Sequence, residues 1–134
     1  MAASLIDLNI EYLPCLPRKK DYGIGCIGSG FIMRDCHLVA YNNAGFNPVA
    51  IASRPRANAE ETAKLRNIKK VYDSYQELLK DPEVEVVDIA VPPNYQLEVV
   101  QEVVKHNDHV KGLLAQKPNG SNLNEAKVIV RLCE

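Results

Sequence analysis

Two glycines flank a serine at Gly28-Ser29-Gly30, directly after the apolar residues Ile24, Cys26 and Ile27 and directly before Phe31 and Ile32. A strand that turns sharply into a helix leaves the first helical N–H groups unpaired. Those groups, together with the helix dipole, hold a phosphate. Gly28 permits the tight turn, and Gly30 lets the backbone approach a pyrophosphate with no Cβ in between. A G-x-G-x-x-G pattern also reads one step earlier, at Gly23, Gly25 and Gly28. In that register Ile24, Cys26 and Ile27, which read as the strand itself, would fall in the loop. The later register makes Gly28, Ser29, Gly30, Phe31 and Ile32 the phosphate-binding candidates. It also puts Met33 where a third small residue normally lets the helix pack closely, so the helix must stand off or the Met33 side chain must point elsewhere.

The second candidate cluster is Ser53-Arg54-Pro55-Arg56. A ribose 2′-hydroxyl is usually held by an acid at the end of the second strand of such a fold, and none stands here. A hydroxyl followed by permanently charged, planar guanidinium forks suits a 2′-phosphate instead, so Ser53 and Arg54 predict NADP(H) in preference to NAD(H), with NAD(H) the alternative cofactor. Arg54 is also placed to stack on adenine.

These residues need a scaffold, and 134 residues with 46% hydrophobic and 25% charged content suffice for one soluble domain with a real core. Sixteen basic against seventeen acidic residues leave a net charge of −1. There is no global field for nucleic acid or an anionic membrane, so neither is an expected partner. Cys15, Cys26, Cys36 and Cys133 form no C-x-x-C pair. No metal site is therefore expected from them, and Cys26 and Cys36 should pack as small reduced hydrophobes in a reducing, cytoplasmic compartment. No apolar run approaches the ~20 residues of a membrane span. Residues 1–7 also lack the charged and apolar regions of a secretory leader.

Residues 1–20 read as an extended arm. Ile6, Leu8, Ile10 and Tyr12 alternate with polar residues as in a half-buried strand, and Pro14 and Pro17 follow. Such an arm can lie along the domain edge, pair with another subunit or partner, or cover a further domain. From residue 21 to 134, strands and helices alternate. The strands are expected at Tyr22–Ile27, Val49–Ala52, Lys70–Tyr72, Glu85–Val91 and Val110–Ala115. The helices are expected at Phe31–Asn42, Ala59–Arg66 (capped by Asn58 with Glu61), Ser74–Leu79 (capped by Ser74 with Glu77), Asn94–His106 (capped by Asn94) and Leu123–Leu132 (capped near Asn122 with Glu125). Right-handed crossovers make this an α/β doubly wound parallel sheet of order 3-2-1-4-5, with its crevice at the carboxyl ends of the strands. Four loops should border that crevice: Gly28–Ile32, Ser53–Arg56, Val91–Asn94 and Gln116–Pro118.

Taken together, Gly28-Ser29-Gly30-Phe31-Ile32, Ala52-Ser53-Arg54, Ala90-Val91-Pro92-Pro93-Asn94 and Gln116-Lys117-Pro118 resemble the N-terminal Rossmann domain of the glucose-fructose oxidoreductase, inositol dehydrogenase and rhizopine-catabolism (Gfo/Idh/MocA) family. The resemblance covers residues 22 to 134. It implies an NAD(P)-dependent oxidoreductase acting on a sugar, cyclitol or related polyol. It also implies that Val91, Pro92, Pro93 and Asn94 pass the ribose and nicotinamide, and that Lys117 stands beside the nicotinamide as the catalytic ammonium. An ammonium there stabilises alkoxide charge during hydride transfer.

Three departures stand out. Gln116 replaces the family's acid before the lysine, and Gln96 stands where a histidine often follows the proline-rich loop, so neither can act as acid or base. Asn119-Gly120-Ser121 is polar and turn-rich where the family continues apolar. His37, His106 and His109 read as structural. The family's second, substrate-binding domain has no counterpart in these residues, so the chain alone is expected to bind a dinucleotide without catalysing hydride transfer, and to meet a small-molecule substrate only with that domain. A non-catalytic, dinucleotide-responsive regulatory or assembly module is the alternative reading.

Overall fold

In the computed structural model, which describes residues 13–134, the glycine-rich segment Gly23–Ile27 is the central strand β1 of a parallel sheet. Around it lie β2 (Asn47–Ala52), β3 (Lys70–Tyr72), β4 (Val86–Ile89) and β5 (Gly112–Ala115), in the order β3-β2-β1-β4-β5. The strand reading of Ile6–Tyr12 falls on residues outside those described.

Period-2 alternation sends the strand side chains to two separate cores. Ile27, Ala50, Ala52, Val87 and Ile89 face one side, where α3 (Tyr75–Leu78), α4 (Pro93–Val103) and α5 (Leu123–Leu132) supply Leu78, Val99, Val100, Val103 and Ile129. Ile24, Cys26 and Ile51 face the other side, covered by Met33, Leu38, Ala59 and Ala63 from the first two helical segments. Burial on both faces is why the strands read as nearly continuous apolar runs. Cys26 is fully buried, which with the nearby Asp88 carboxylate pushes its thiol far up and keeps it protonated. Cys36, expected inside, is exposed, because it points away from both cores.

The first helix departs from expectation. Instead of one α-helix over Phe31–Asn42, residues Ile32–His37 form a π-helical segment that runs into α1 (Leu38–Ala44). The Leu38 N–H bonds the Met33 carbonyl across the wider turn. Met33 is fully buried against the sheet, and the broadened turn is how a bulky side chain fits where close packing otherwise needs a small one. α1 ends at Gly45, whose φ is +74°.

Two predicted caps are also corrected. α2 (Arg56–Arg66) starts ahead of Asn58, with Pro55 extended at its N-cap, so Asn58 lies in the first turn and its N–H bonds the Pro55 carbonyl. α4 starts at Pro93 rather than after Asn94, because a proline with fixed φ and no N–H suits the first helical position. After Val103 that helix tightens into a 3-10 turn, Val104–His106. The Ser74 and Asn122 caps form as expected: each side chain accepts the N–H of a glutamate three residues on, Glu77 and Glu125. β4 and β5 are shorter than the segments expected, Glu85–Val91 and Val110–Ala115, since the ladders run only over Val86–Ile89 and Gly112–Ala115.

Candidate functional site

The glycines divide by job, and the division settles the register of the turn. A Cβ on Gly23 would lie 1.8 Å from the Glu83 carbonyl oxygen, and one on Gly25 2.6 Å from Val84 Cγ1, so both glycines serve close packing within the sheet. Gly28 is the turn: its φ is +104°, and a Cβ there would lie 2.4 Å from the Ala90 carbonyl oxygen. Around Gly30 a Cβ would meet nothing within 4 Å, so the space in front of its backbone is free. Backbone bonds from Gly28 N–H to Ala52 O (2.8 Å) and from Ala90 N–H to Ile27 O (2.9 Å) lash the ends of β1, β2 and β4 together. The buried Ser29 hydroxyl donates to Ser53 Oγ at 2.7 Å, joining the glycine turn to the loop after β2.

These loops enclose a cleft of about 550 Å³ at the carboxyl ends of the strands. Gly28, Ser29, Gly30, Ser53, Arg54, Val91 and Pro92 all line it. Phe31, Ile32, Pro93, Asn94 and Lys117 do not. Phe31 and Ile32 are solvent-exposed at the helix start, and Pro93 and Asn94 belong to the first turn of α4. The loop after β3 and the start of α3, which the sequence reading left out, contribute Asp73, Ser74, Tyr75 and Gln76 to the wall. Tyr95 and Glu98 of α4 also line it.

The charges around the cleft are unevenly compensated. Arg56 is paired with both Glu60, at 2.7 Å, and Asp73. Arg54 makes no ion pair among the described residues, and its guanidinium stands 5.8 Å from the centre of the Tyr95 ring. The Tyr75 hydroxyl donates to Glu98 at 2.6 Å. Burial and that carboxylate push its pKa up to about 12. The free positive charge at the cleft is thus Arg54 alone, beside the Ser53 hydroxyl.

Lys117 is exposed just beyond β5, and its ammonium makes no ion pair among the described residues. Its backbone is held from behind by Gln96, which is fully buried in α4. The Gln96 amide donates to the Gln116 carbonyl and accepts the Gly120 N–H at 3.1 Å. Gln96 is therefore a strut rather than a lost acid, and the signal for it lies in the sequence: Gln96, Val99, Val100 and Val103 share one face of the helix, which makes Gln96 a core position. The polar Asn119-Gly120-Ser121 turn is part of the same brace. Gly120 takes a φ of +71°, and Ser121 N–H donates to Glu125 at 2.7 Å.

His37 bonds the fully buried Asp88 at 2.8 Å, and the Tyr41 hydroxyl donates to the same carboxylate oxygen at 2.6 Å. That cluster sits beneath the first helix, on the face away from the cleft. No helix among the described residues is long and apolar enough to cross a membrane.

A doubly wound parallel sheet with a glycine turn, an open backbone cradle and a cleft at its switch point defines a dinucleotide-binding domain. The chain belongs to the Gfo/Idh/MocA oxidoreductase family, whose NAD-binding Rossmann-fold model matches residues 22–134. Its relatives include the Saccharomyces cerevisiae protein YMR315W, 35% identical over 115 residues, covering 83% of this chain and 32% of that protein. The trans-1,2-dihydrobenzene-1,2-diol dehydrogenase of Mus musculus is 36% identical over 109 residues, covering 79% and 32%. Among solved structures, a Thermotoga maritima oxidoreductase superposes with a TM-score of 0.77 at 32% identity, covering 86% of this chain and 35% of that one. The myo-inositol dehydrogenase of Lactobacillus casei, in complex with NAD(H) and myo-inositol, superposes with a TM-score of 0.73 at 26% identity, covering 82% and 32%. The chain thus spans about a third of the length of the proteins it matches.

Proposed function

We propose that this domain binds NADP(H) in preference to NAD(H), as the cofactor half of an oxidoreductase acting on a polyol, sugar or related carbonyl compound. One observation carries the cofactor preference: Arg54 lines the cleft next to Ser53 with no carboxylate partner, while the neighbouring Arg56 is neutralised by Glu60 and Asp73. No acid follows β2 to accept from a ribose 2′-hydroxyl. The free cradle at Gly28-Ser29-Gly30 fits a pyrophosphate, since neither a Cβ nor a side chain occupies the space before Gly30.

The cofactor, when bound, supplies the two-electron hydride chemistry. Each part of the chain has a task around it. The turn at Gly28 and Gly30 binds the pyrophosphate with backbone N–H groups. Ser53 and Arg54 bind the 2′-phosphate, and Arg54, with Tyr95 across the cleft, flanks the adenine. Val91, Pro92, Pro93 and Asn94 carry the backbone past the ribose, and Lys117 waits at the nicotinamide end with its ammonium free to stabilise developing alkoxide charge. The dihydrodiol dehydrogenase and the inositol dehydrogenase among its relatives support a substrate bearing adjacent hydroxyls.

Titration calorimetry of the chain with NADPH and NADH, repeated on Arg54→Ala, tests the proposal. Losing a charge-assisted contact of ~1.5–3 kcal/mol should weaken NADPH by roughly ten- to a hundredfold more than NADH, which loses only the contact at the adenine. Tighter binding of NADH than of NADPH, or an equal loss for both, would overturn the preference.

A further inference from the structure

At the opposite end of the sheet from the cleft, the turn between α4 and β5 gathers two imidazoles and a carboxylate. His106 ends the 3-10 turn, and the His109 and Val110 N–H groups bond its carbonyl at 3.3 and 2.9 Å, which fixes both histidines on one tight loop. One ligand-capable atom from each of His106, Asp108 and His109 lies within 4.8 Å of the others. Both imidazoles are largely covered, with side-chain exposures of 20% and 18%. Their rings meet edge to face with centroids 5.8 Å apart.

His109 carries the argument. Its Nε2 is 3.0 Å from the Leu79 carbonyl oxygen, and its Nδ1 is 3.1 Å from Asp108 Oδ1. Both facing oxygens are acceptors only, whereas a neutral imidazole has one N–H and one lone pair. In either tautomer, one ring nitrogen confronts an oxygen with nothing between them. A second ring proton removes that conflict, and so does a cation held by one of the two nitrogens. Donation from Nε2–H to a backbone carbonyl is the arrangement by which metal-binding histidines are oriented, and it leaves the Nδ1 lone pair directed at Asp108. An ion about 2.1 Å from each atom would subtend roughly 95° across this 3.1 Å gap, between the octahedral and tetrahedral values. Glu102, 3.8 Å from His106 Nε2, adds negative potential that Lys105, at 2.7 Å, partly offsets.

We propose that His106, Asp108 and His109 form a binding site for a divalent first-row transition ion of the zinc class. Mixed imidazole and carboxylate donors select such an ion over magnesium or calcium. Water completes the coordination, and the ion clips the end of the α4 segment to the entry of β5. A histidine pair three residues apart across an aspartate was the available signal.

The test is a calorimetric titration of the metal-free chain with Zn²⁺ near neutral pH, alongside ring-resonance shifts of the three histidines. We expect one equivalent to bind, the His106 and His109 rings to shift while His37 stays put, and Tm to rise. His106→Gln and Asp108→Asn should each weaken binding at least tenfold. Asp108 is exposed and His106 lies on a surface turn, so the variants should fold, which circular dichroism checks, and NADPH titration should be unaffected. Absence of binding would leave the cluster as no more than the hydrogen bonds of the turn, and would overturn the proposal. Affinity unchanged in the double variant would move the ion to the exposed thiols Cys15, Cys36 or Cys133 and overturn it equally.

Discussion

Gly28 and Gly30 look alike in sequence and should behave oppositely under the same substitution. Gly28 combines a positive φ with an approach to the Ala90 carbonyl that no side chain tolerates. Gly28→Ala should therefore cost about 3 kcal/mol or more of stability, measurable by urea denaturation. Gly30 faces open space, so Gly30→Ala should leave stability within ~0.5 kcal/mol while lowering dinucleotide affinity, because its methyl group occupies the proposed pyrophosphate position. Equal stability losses in the two variants would remove the distinction between turn and cradle. At this scale much was legible. The apolar residues Ile24, Cys26 and Ile27 located the strand and hence the turn. The bare arginine was only partly legible: Glu60 stands one helical turn after Arg56, but Asp73, 17 residues from it, meets it only in the fold, and Arg54 is left without either.

Among the elements, α4 does more than cover the sheet. Through Gln96 it holds the Gln116 carbonyl and the Gly120 N–H, and so fixes the segment that carries Lys117. Gln96→Leu keeps the approximate volume but strands a buried amide and a buried carbonyl. It should destabilise the chain by about 2–4 kcal/mol. Hydrogen exchange at Gly120 should accelerate selectively, which a general loss of packing would not produce. If Gly120 protection is unchanged, the strut does not operate. The serine and asparagine caps announced α3 and α5 in advance. The π-helical opening of the first helix was not announced, since it depends on how far Met33 can sink between helix and sheet.

For the whole molecule, the edge strand β3 is anchored by Asp81, which accepts from the Lys70 ammonium and the Tyr72 hydroxyl, each at 2.8 Å, and from the Glu83 N–H at 3.0 Å. Burial pushes the Asp81 carboxyl up, but the hydrogen bonds from Lys70, Glu83 N–H and Tyr72 and the Lys70 charge more than offset it and hold it below the usual carboxylate range. A lowered native pKa stabilises the fold above the unfolded value of ~3.9, and that contribution disappears as pH falls through the native value. The stability gap between the native chain and Asp81→Asn should therefore be largest near neutrality and shrink below about pH 4. A gap that persists unchanged into acid would deny the ionic origin.

The order 3-2-1-4-5 followed from the sequence, because alternating strands and helices joined by right-handed crossovers leave few other topologies. So did the glycine turn and most of the residues beside it, for their chemistry is local: a backbone angle, a missing Cβ, a cap. What only the tertiary structure decided was which side chains meet. The loop after β3 joined the cleft, Asp73 silenced Arg56 and left Arg54 free, Gln96 became a brace, and His106, Asp108 and His109 converged at the far end of the sheet. Periodicity specifies the face on which a residue lies, but the partner across that face is set by packing between segments distant in the chain, which no local pattern encodes.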